Sequence, residues 1–181
     1  VLNGPAGVVP AYTFVPGSDT LTVPVTEYQL CFKCHSSWTT PPAGQSDMAL
    51  LLNPNNPSYH PVEAAGRDPL IASGAFMPGW SASSLTFCGD CHQSDSGALL
   101  GPHGSVYRGI LPRPYDPSPN LRPMASDEAC FACHSFATYG DRNASGAARA
   151  QSRFNEPGAG KGHATHVGEE DVPCGACHAT H

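Results

Sequence analysis

Apolar positions along this chain come in short runs that proline, glycine or a polar turn interrupts within a few residues. No long helix is therefore predicted, and strands should be few and short. Asp47 to Leu52 can make one helical turn before Asn53-Pro54 ends it. Ser126-Asp127-Glu128, just ahead of Ala129-Cys130, supply an N-cap and acidic first-turn residues for another short helix. Asp141 to Phe154 is the best helical stretch elsewhere, despite Gly146. Asn55-Asn56-Pro57 and Gly101-Pro102 mark turns. No run reaches the ~18 apolar residues that a membrane-spanning helix needs.

Composition accounts for this sparseness. Nineteen glycines and nineteen prolines make up about a fifth of the 181 residues. The hydrophobic fraction, 40%, lies below the ~45–50% of ordinary domains. The length is that of one domain, but an ordinary core is missing, and something other than side chains has to supply apolar surface. The expected fold is one domain over residues 1–181, mostly irregular coil with short helices and few or no strands.

The cysteines say what that something is. All eight fall in four Cys-x-x-Cys-His motifs: Cys31, Cys34 and His35; Cys88, Cys91 and His92; Cys130, Cys133 and His134; Cys174, Cys177 and His178. This is the signature of covalent c-type haem attachment. Two thiols three apart can add across the two vinyl groups of one porphyrin, and the following histidine can bind the iron from the near face. A zinc ribbon brings two Cys-x-x-Cys pairs together across roughly 15–20 residues. Here 53, 38 and 40 residues separate one motif's second cysteine from the next motif's first. A dithiol redox centre needs one motif in a βαβ setting, and eight free thiols would be hard to keep reduced outside the cytosol. Four haems of type c per chain are expected, about 45 residues to each, so the haems should form most of the core.

The motifs also reveal a duplication. The first and third share Cys-Phe-x-Cys-His-Ser, and the second and fourth share Cys-Gly-x-Cys-His, in the order A, B, A, B. Starts within the pairs are 57 and 44 residues apart. Two two-haem modules follow, about 1–120 and 121–181, with the Pro-rich Leu111–Asn120 read as an extended linker at the join.

Five histidines lie outside the motifs: His60, His103, His163, His166 and His181. Four six-coordinate irons need four distal ligands. His60 falls in the A-to-B interval of the first module, and His163 and His166 in that of the second. His103 and His181 follow the B motifs by 11 and 3 residues. The duplication selects His60, His103, His166 and His181, leaving His163 as the spare or substitute. Methionine is the alternative ligand, but Met48, Met77 and Met124 suit flexible apolar packing better. With every iron closed on both faces, no coordination position is left for a substrate, so electron transfer rather than enzymatic chemistry is expected.

Nine basic against fifteen acidic residues give a formal charge of −6, and haem propionates add to the acidity, so nucleic acid is not an expected partner. Covalent haem attachment of this kind takes place outside the cytoplasm. Val1-Leu2-Asn3-Gly4 accordingly reads as a mature terminus left by an export signal, an expectation that a precursor without one would overturn. Asn143-Ala144-Ser145 fits the N-glycosylation tripeptide, a pattern too common to carry weight.

Four segments carry a resemblance: Tyr28-Gln-Leu-Cys-Phe-Lys-Cys-His-Ser36, Asn56-Pro-Ser-Tyr-His-Pro-Val-Glu-Ala64, Gly101-Pro-His-Gly-Ser105 and His163-Ala-Thr-His-Val167. From Tyr28 onward the chain resembles the multihaem outer-surface cytochromes of metal-reducing bacteria, and among them the OmcE-type tetrahaem cytochromes that polymerise into extracellular filaments. The resemblance implies a loop-rich fold organised around a continuous chain of four haems, with identical subunits joined head to tail in a helical filament. It also implies that a histidine can ligate an iron of the neighbouring subunit. His181, in His178-Ala-Thr-His181, is the leading candidate and His163 the runner-up. The implied location is extracellular, with redox donors and acceptors at the cell surface. The alternative is a soluble periplasmic tetrahaem shuttle, which the sparse charge, 13% of residues, disfavours because steered docking uses charged patches.

Overall fold

A computed structural model describes residues 26–41, 43–97, 101–152, 154, 162–179 and 181. The expected mature terminus at Val1 lies outside the described residues. The chain is mostly coil with a few short helices. Among the described residues there is no strand, only one antiparallel bridge between Phe76 and His134. No helix among them is long and apolar enough to cross a membrane.

Five α-helical segments occur among the described residues, in chain order: α1 Glu27–Phe32, α2 Met48–Leu51, α3 Cys88–Cys91, α4 Phe136–Tyr139 and α5 Gly146–Arg149. Short 3₁₀ turns cover Ser73–Ala75, Arg108–Ile110, Ala129–Ala132 and Cys174–Ala176, and a π-helix covers Ala164–Glu169. The turn expected after Asp47 is present: Asp47 is the N-cap of α2 and its carboxylate accepts from Leu50 N–H at 3.2 Å. The short helix expected to carry the third motif is a 3₁₀ turn over Ala129–Ala132. Its N-cap is Glu128 rather than Ser126, and the Glu128 carboxylate accepts from Ala125 N–H and from Arg122.

Asp141–Phe154 is not one helix. Asp141 takes Asn143 N–H on its own carboxylate at 2.8 Å, making a turn, and Ser145 then caps a single α5 turn by accepting from Ala148 N–H. Asp and Ser side chains that bond nearby backbone N–H groups offer the chain a non-helical alternative, which here wins over the helical period. Arg153 lies outside the described residues.

Packing divides the chain into two compact units: Val1–Arg67 with Leu85–Cys88 and Thr180–His181, and Asp68–Ser84 with Gly89–Ala179. This division differs from the repeat. Leu111–Asn120 lies inside the second unit, where the Pro114 carbonyl accepts from Ala129 N–H at 2.9 Å.

Among the described residues the core of the first unit is small. Phe32, Ala49 and Leu52 are buried, with Tyr28, Met48 and Val62 packed against them. The fully buried Asn53 bonds Asn55 N–H, and the Asn56 amide closes the end of α2 on the carbonyls of Leu50 and Leu51. In the second unit Met124, Phe131 and Val167 are buried beneath Phe136, Tyr139, Cys130 and Cys174. A Cβ at Gly140 would come within 2.7 Å of the Phe136 ring, and one at Gly168 within 2.7 Å of Gly140 O and Arg142 N, so both positions require glycine to let these segments meet.

Candidate functional site

Each Cys-x-x-Cys-His motif is folded as one tight turn. His35 N–H bonds Cys31 O at 2.9 Å, His134 N–H bonds Cys130 O at 3.0 Å and His178 N–H bonds Cys174 O at 2.9 Å. The second motif is α3 itself. Residues three and four apart share a face of a helical turn, so both thiols and the histidine of a motif project from one side. The supporting backbone varies: α1 carries Cys31, 3₁₀ turns carry Cys130 and Cys174, and the closing bond is the same.

The leading cysteines meet in pairs. The Cys31 and Cys88 sulfurs lie within 4.8 Å of each other in the first unit, and in the second Cys130 and Cys174 are close enough to perturb each other's ionisation, with the Cys174 thiol donating to Met124 Sδ at 3.4 Å. Both pairs join the first cysteine of an A motif to the first cysteine of the following B motif. Burial and then Cys31 push the Cys88 thiol up to about 12, and burial with Cys91 pushes Cys133 up to about 11. The interaction with Cys130 and then burial raise Cys174, which keeps its proton; the same interaction lowers Cys130, and burial raises Cys91. Glu27, Cys31 and Cys88 hold their ligand atoms within 4.8 Å of one another. That is three donors where structural zinc takes four.

The histidines separate by environment. His35, His60, His103, His166 and His178 are exposed, and His92, His134, His163 and His181 half-buried. His92 Nδ1 lies 2.6 Å from Gly109 O, a carbonyl presented by the positive φ of 71° at that glycine. His166 Nδ1 lies 2.9 Å from Gly162 O. A carbonyl only accepts, so Nδ1 donates in both rings, which leaves Nε2 as the nitrogen available to a metal. His163 Nδ1 lies 2.6 Å from Ser152 Oγ. Burial, then the neighbouring His178 and His166, push His163 down to about 4, so it is neutral at ordinary pH.

A ladder of rings runs through the second unit. His134 meets Phe76 at 5.9 Å and Tyr139 edge-on at 5.6 Å; Tyr139 meets His163 at 4.8 Å; His163 faces His178 at 6.1 Å. Phe154 packs on both His163 and His166. The structure thus brings His163 together with a motif histidine. His178 belongs to the second unit and His181 to the first. Met124 is buried and its Sδ accepts from the Cys174 backbone N–H, and Met48 packs in the first core, so both fill space as expected.

Sequence reasoning passed over Ser152, Gly109, Tyr139 and the arginines that hold the π-helix. Arg142 bonds Gly168 O and Asp171, and Arg149 bonds Thr165 and Glu169. These partners lie 11 to 29 residues from the groups they serve, and no local pattern links them. Comparison with protein-family models, with characterised proteins and with solved structures gives no match.

Proposed function

We propose that this chain is an electron carrier holding four c-type haems, each bound through one Cys-x-x-Cys-His turn and closed by a second histidine. The observation that carries the reading is the common turn geometry: in three motifs the histidine N–H closes on the first cysteine's carbonyl, and the fourth is one α-helical turn. When bound, the haem supplies one-electron exchange between ferric and ferrous iron.

The residues fit such a group. Large apolar side chains stand exposed next to the motifs and histidines: Leu30 before Cys31, Phe87 before Cys88, Ile110 after the glycine that faces His92, and Phe154 against His163 and His166. A porphyrin face would cover side chains of this kind. Gly109 O and Gly162 O fix the rings of His92 and His166 with Nε2 as the donor. Both cysteine pairs bring an A motif against a B motif, which supports two close haem pairs and a short path for the electron within each module.

We read the carrier as a subunit of an extracellular filament in which identical chains pass electrons head to tail. The low charge supports static packing over steered encounter, and His181, three residues past His178, is the candidate to reach a neighbouring iron. The first test is to express the chain with c-type haem maturation and measure its intact mass. Four covalent haems with low-spin ferric spectra support the carrier, and a haemless chain overturns it. Electron microscopy of the same sample then decides between filaments and discrete particles, the latter favouring the soluble shuttle.

A further inference from the structure

We propose that His163 and His178 are the two axial ligands of a single iron, that of the haem on Cys174 and Cys177. The inference rests on the haem reading above and reverses the choice between His163 and His166 made from spacing.

The distance is the first ground. A metal-bound imidazole nitrogen sits ~2.0–2.1 Å from its metal, and the ring centre lies ~1.2 Å further out, so two imidazoles on opposite faces of one iron have centres ~6.4 Å apart. The His163 and His178 rings are 6.1 Å apart with planes 23° from parallel. Offset stacking of two bare rings also spans this distance, so the surroundings have to decide between the two.

They favour ligation. Ser152 Oγ occupies Nδ1 of His163 at 2.6 Å, which leaves Nε2 as the free donor. Tyr139 packs edge-on at 4.8 Å and 77°, and Phe154 at 5.1 Å and 64°, so the ring is held on more than one side. The backbone behind it is clamped too. His163 is the N-cap of the π-helix, a rare element frequent at functional sites. That helix is tied to neighbouring segments by Arg142 at Gly168 O, 3.0 Å, and by Arg149 at Thr165 Oγ1, 3.1 Å. His166, three residues on, is exposed, and among the described residues its ring contact is Phe154 at 5.4 Å. His60, His103, His166 and His181 then remain for three irons, and the surplus histidine is one of those four.

The test uses the full haem-loaded chain. In His163→Ala, one iron per chain should turn high-spin and, once reduced, take up one equivalent of carbon monoxide, while the wild type takes up none. In His163→Met, one haem should acquire the thioether-to-iron band at the red end of the ferric spectrum. If His163→Ala keeps four low-spin haems that refuse carbon monoxide, the inference falls. It also falls if His163→Ala still opens an iron in a Cys174→Ser/Cys177→Ser chain that lacks the fourth haem. Should the alanine variant fail to fold, Ser152→Ala serves: the midpoint of one haem moves with all four still low-spin, and four unmoved midpoints would overturn the proposal. A wild type without covalent haem sinks the carrier reading itself and is seen in the mass before any variant is made.

Discussion

Cys31 leaves the last turn of a six-residue α-helix that begins with Thr26 N–H bonded to the Gln29 side chain at 2.9 Å. Cys130, its counterpart in the repeat, sits on a four-residue 3₁₀ turn that begins at the buried Glu128. Both end in the same bond from the motif histidine to the first cysteine, and both thiols meet the leading cysteine of the next motif. Between them the modules share little else. The first places His60 on an irregular segment, and the second places His163 and His166 on a π-helix held by two arginines. What the repeat preserves is the geometry of attachment, and the secondary structure that delivers it is free to change.

The largest way to break this comparison is through the buried carboxylate of the second module. Arg122 bonds both oxygens of Glu128, at 2.6 and 2.8 Å, and the Glu128 side chain is only 6% exposed. Arg122→Ala strands that charge and should cost about 2–3 kcal/mol in urea unfolding, less than for a fully buried pair because Arg122 is partly solvated. Glu27→Gln, in the first turn of α1, should cost about 0.3–1 kcal/mol, the scale of a helix-dipole contact. Equal costs at the two sites would show that the modules are anchored alike after all.

Next in size is Gly168→Ala, whose Cβ would meet backbone atoms at 2.7 Å. It should cost about 1–3 kcal/mol by forcing the π-helix away from Gly140 and Arg142. Haem spectra should report disturbance at the fourth site and none at the first.

The two capped turns give a smaller and more even contrast. Asp47→Ala and Ser145→Ala each remove an N-cap, of α2 and α5, and each should cost about 1 kcal/mol by thermal unfolding. Asp47 also accepts from Ser37 N–H, two residues past His35, so its loss should loosen the first motif as well.

A contrast of another kind is one of pH. Glu63 Oε1 is buried without a hydrogen-bond partner among the described residues, and burial pushes the carboxyl up from 4.5 to about 7. The folded chain therefore binds this proton more tightly than the unfolded one. That contribution is complete below about pH 4.5 and is lost as pH rises through about 7. Glu63→Gln should flatten the dependence, gaining on the wild type at about pH 8 and not at about pH 5 in urea midpoints. An unchanged slope would mean that another group sets it.

Much of this was legible in the chain, for reasons of range. Motif cysteines and histidines are sequence neighbours, so local turn geometry brings them together, and Asp47 caps the turn that Asn53-Pro54 ends. The helix expected over 141–154 failed through equally local chemistry, because Asp141 and Ser145 bond the backbone ahead of them and restart the chain. The pairing of Cys31 with Cys88, 57 residues away, and of Ser152 with His163 depends on how the chain doubles back, which no periodicity encodes. The choice between His163 and His166 is of this kind: spacing puts His166 forward, whereas Ser152, Tyr139 and Phe154 gather around His163.

The meeting of Cys31 with Cys88, and of Cys130 with Cys174, also bears on the order of manufacture. Two neighbouring thiols can lose two electrons and two protons to an oxidant and become a disulfide. On the haem reading proposed above, a chain that packed before receiving its porphyrins would risk sealing one attachment point in every motif against them. Cofactor loading would then run ahead of folding, and the characteristic reject of the assembly line would be a colourless chain carrying two internal cross-links.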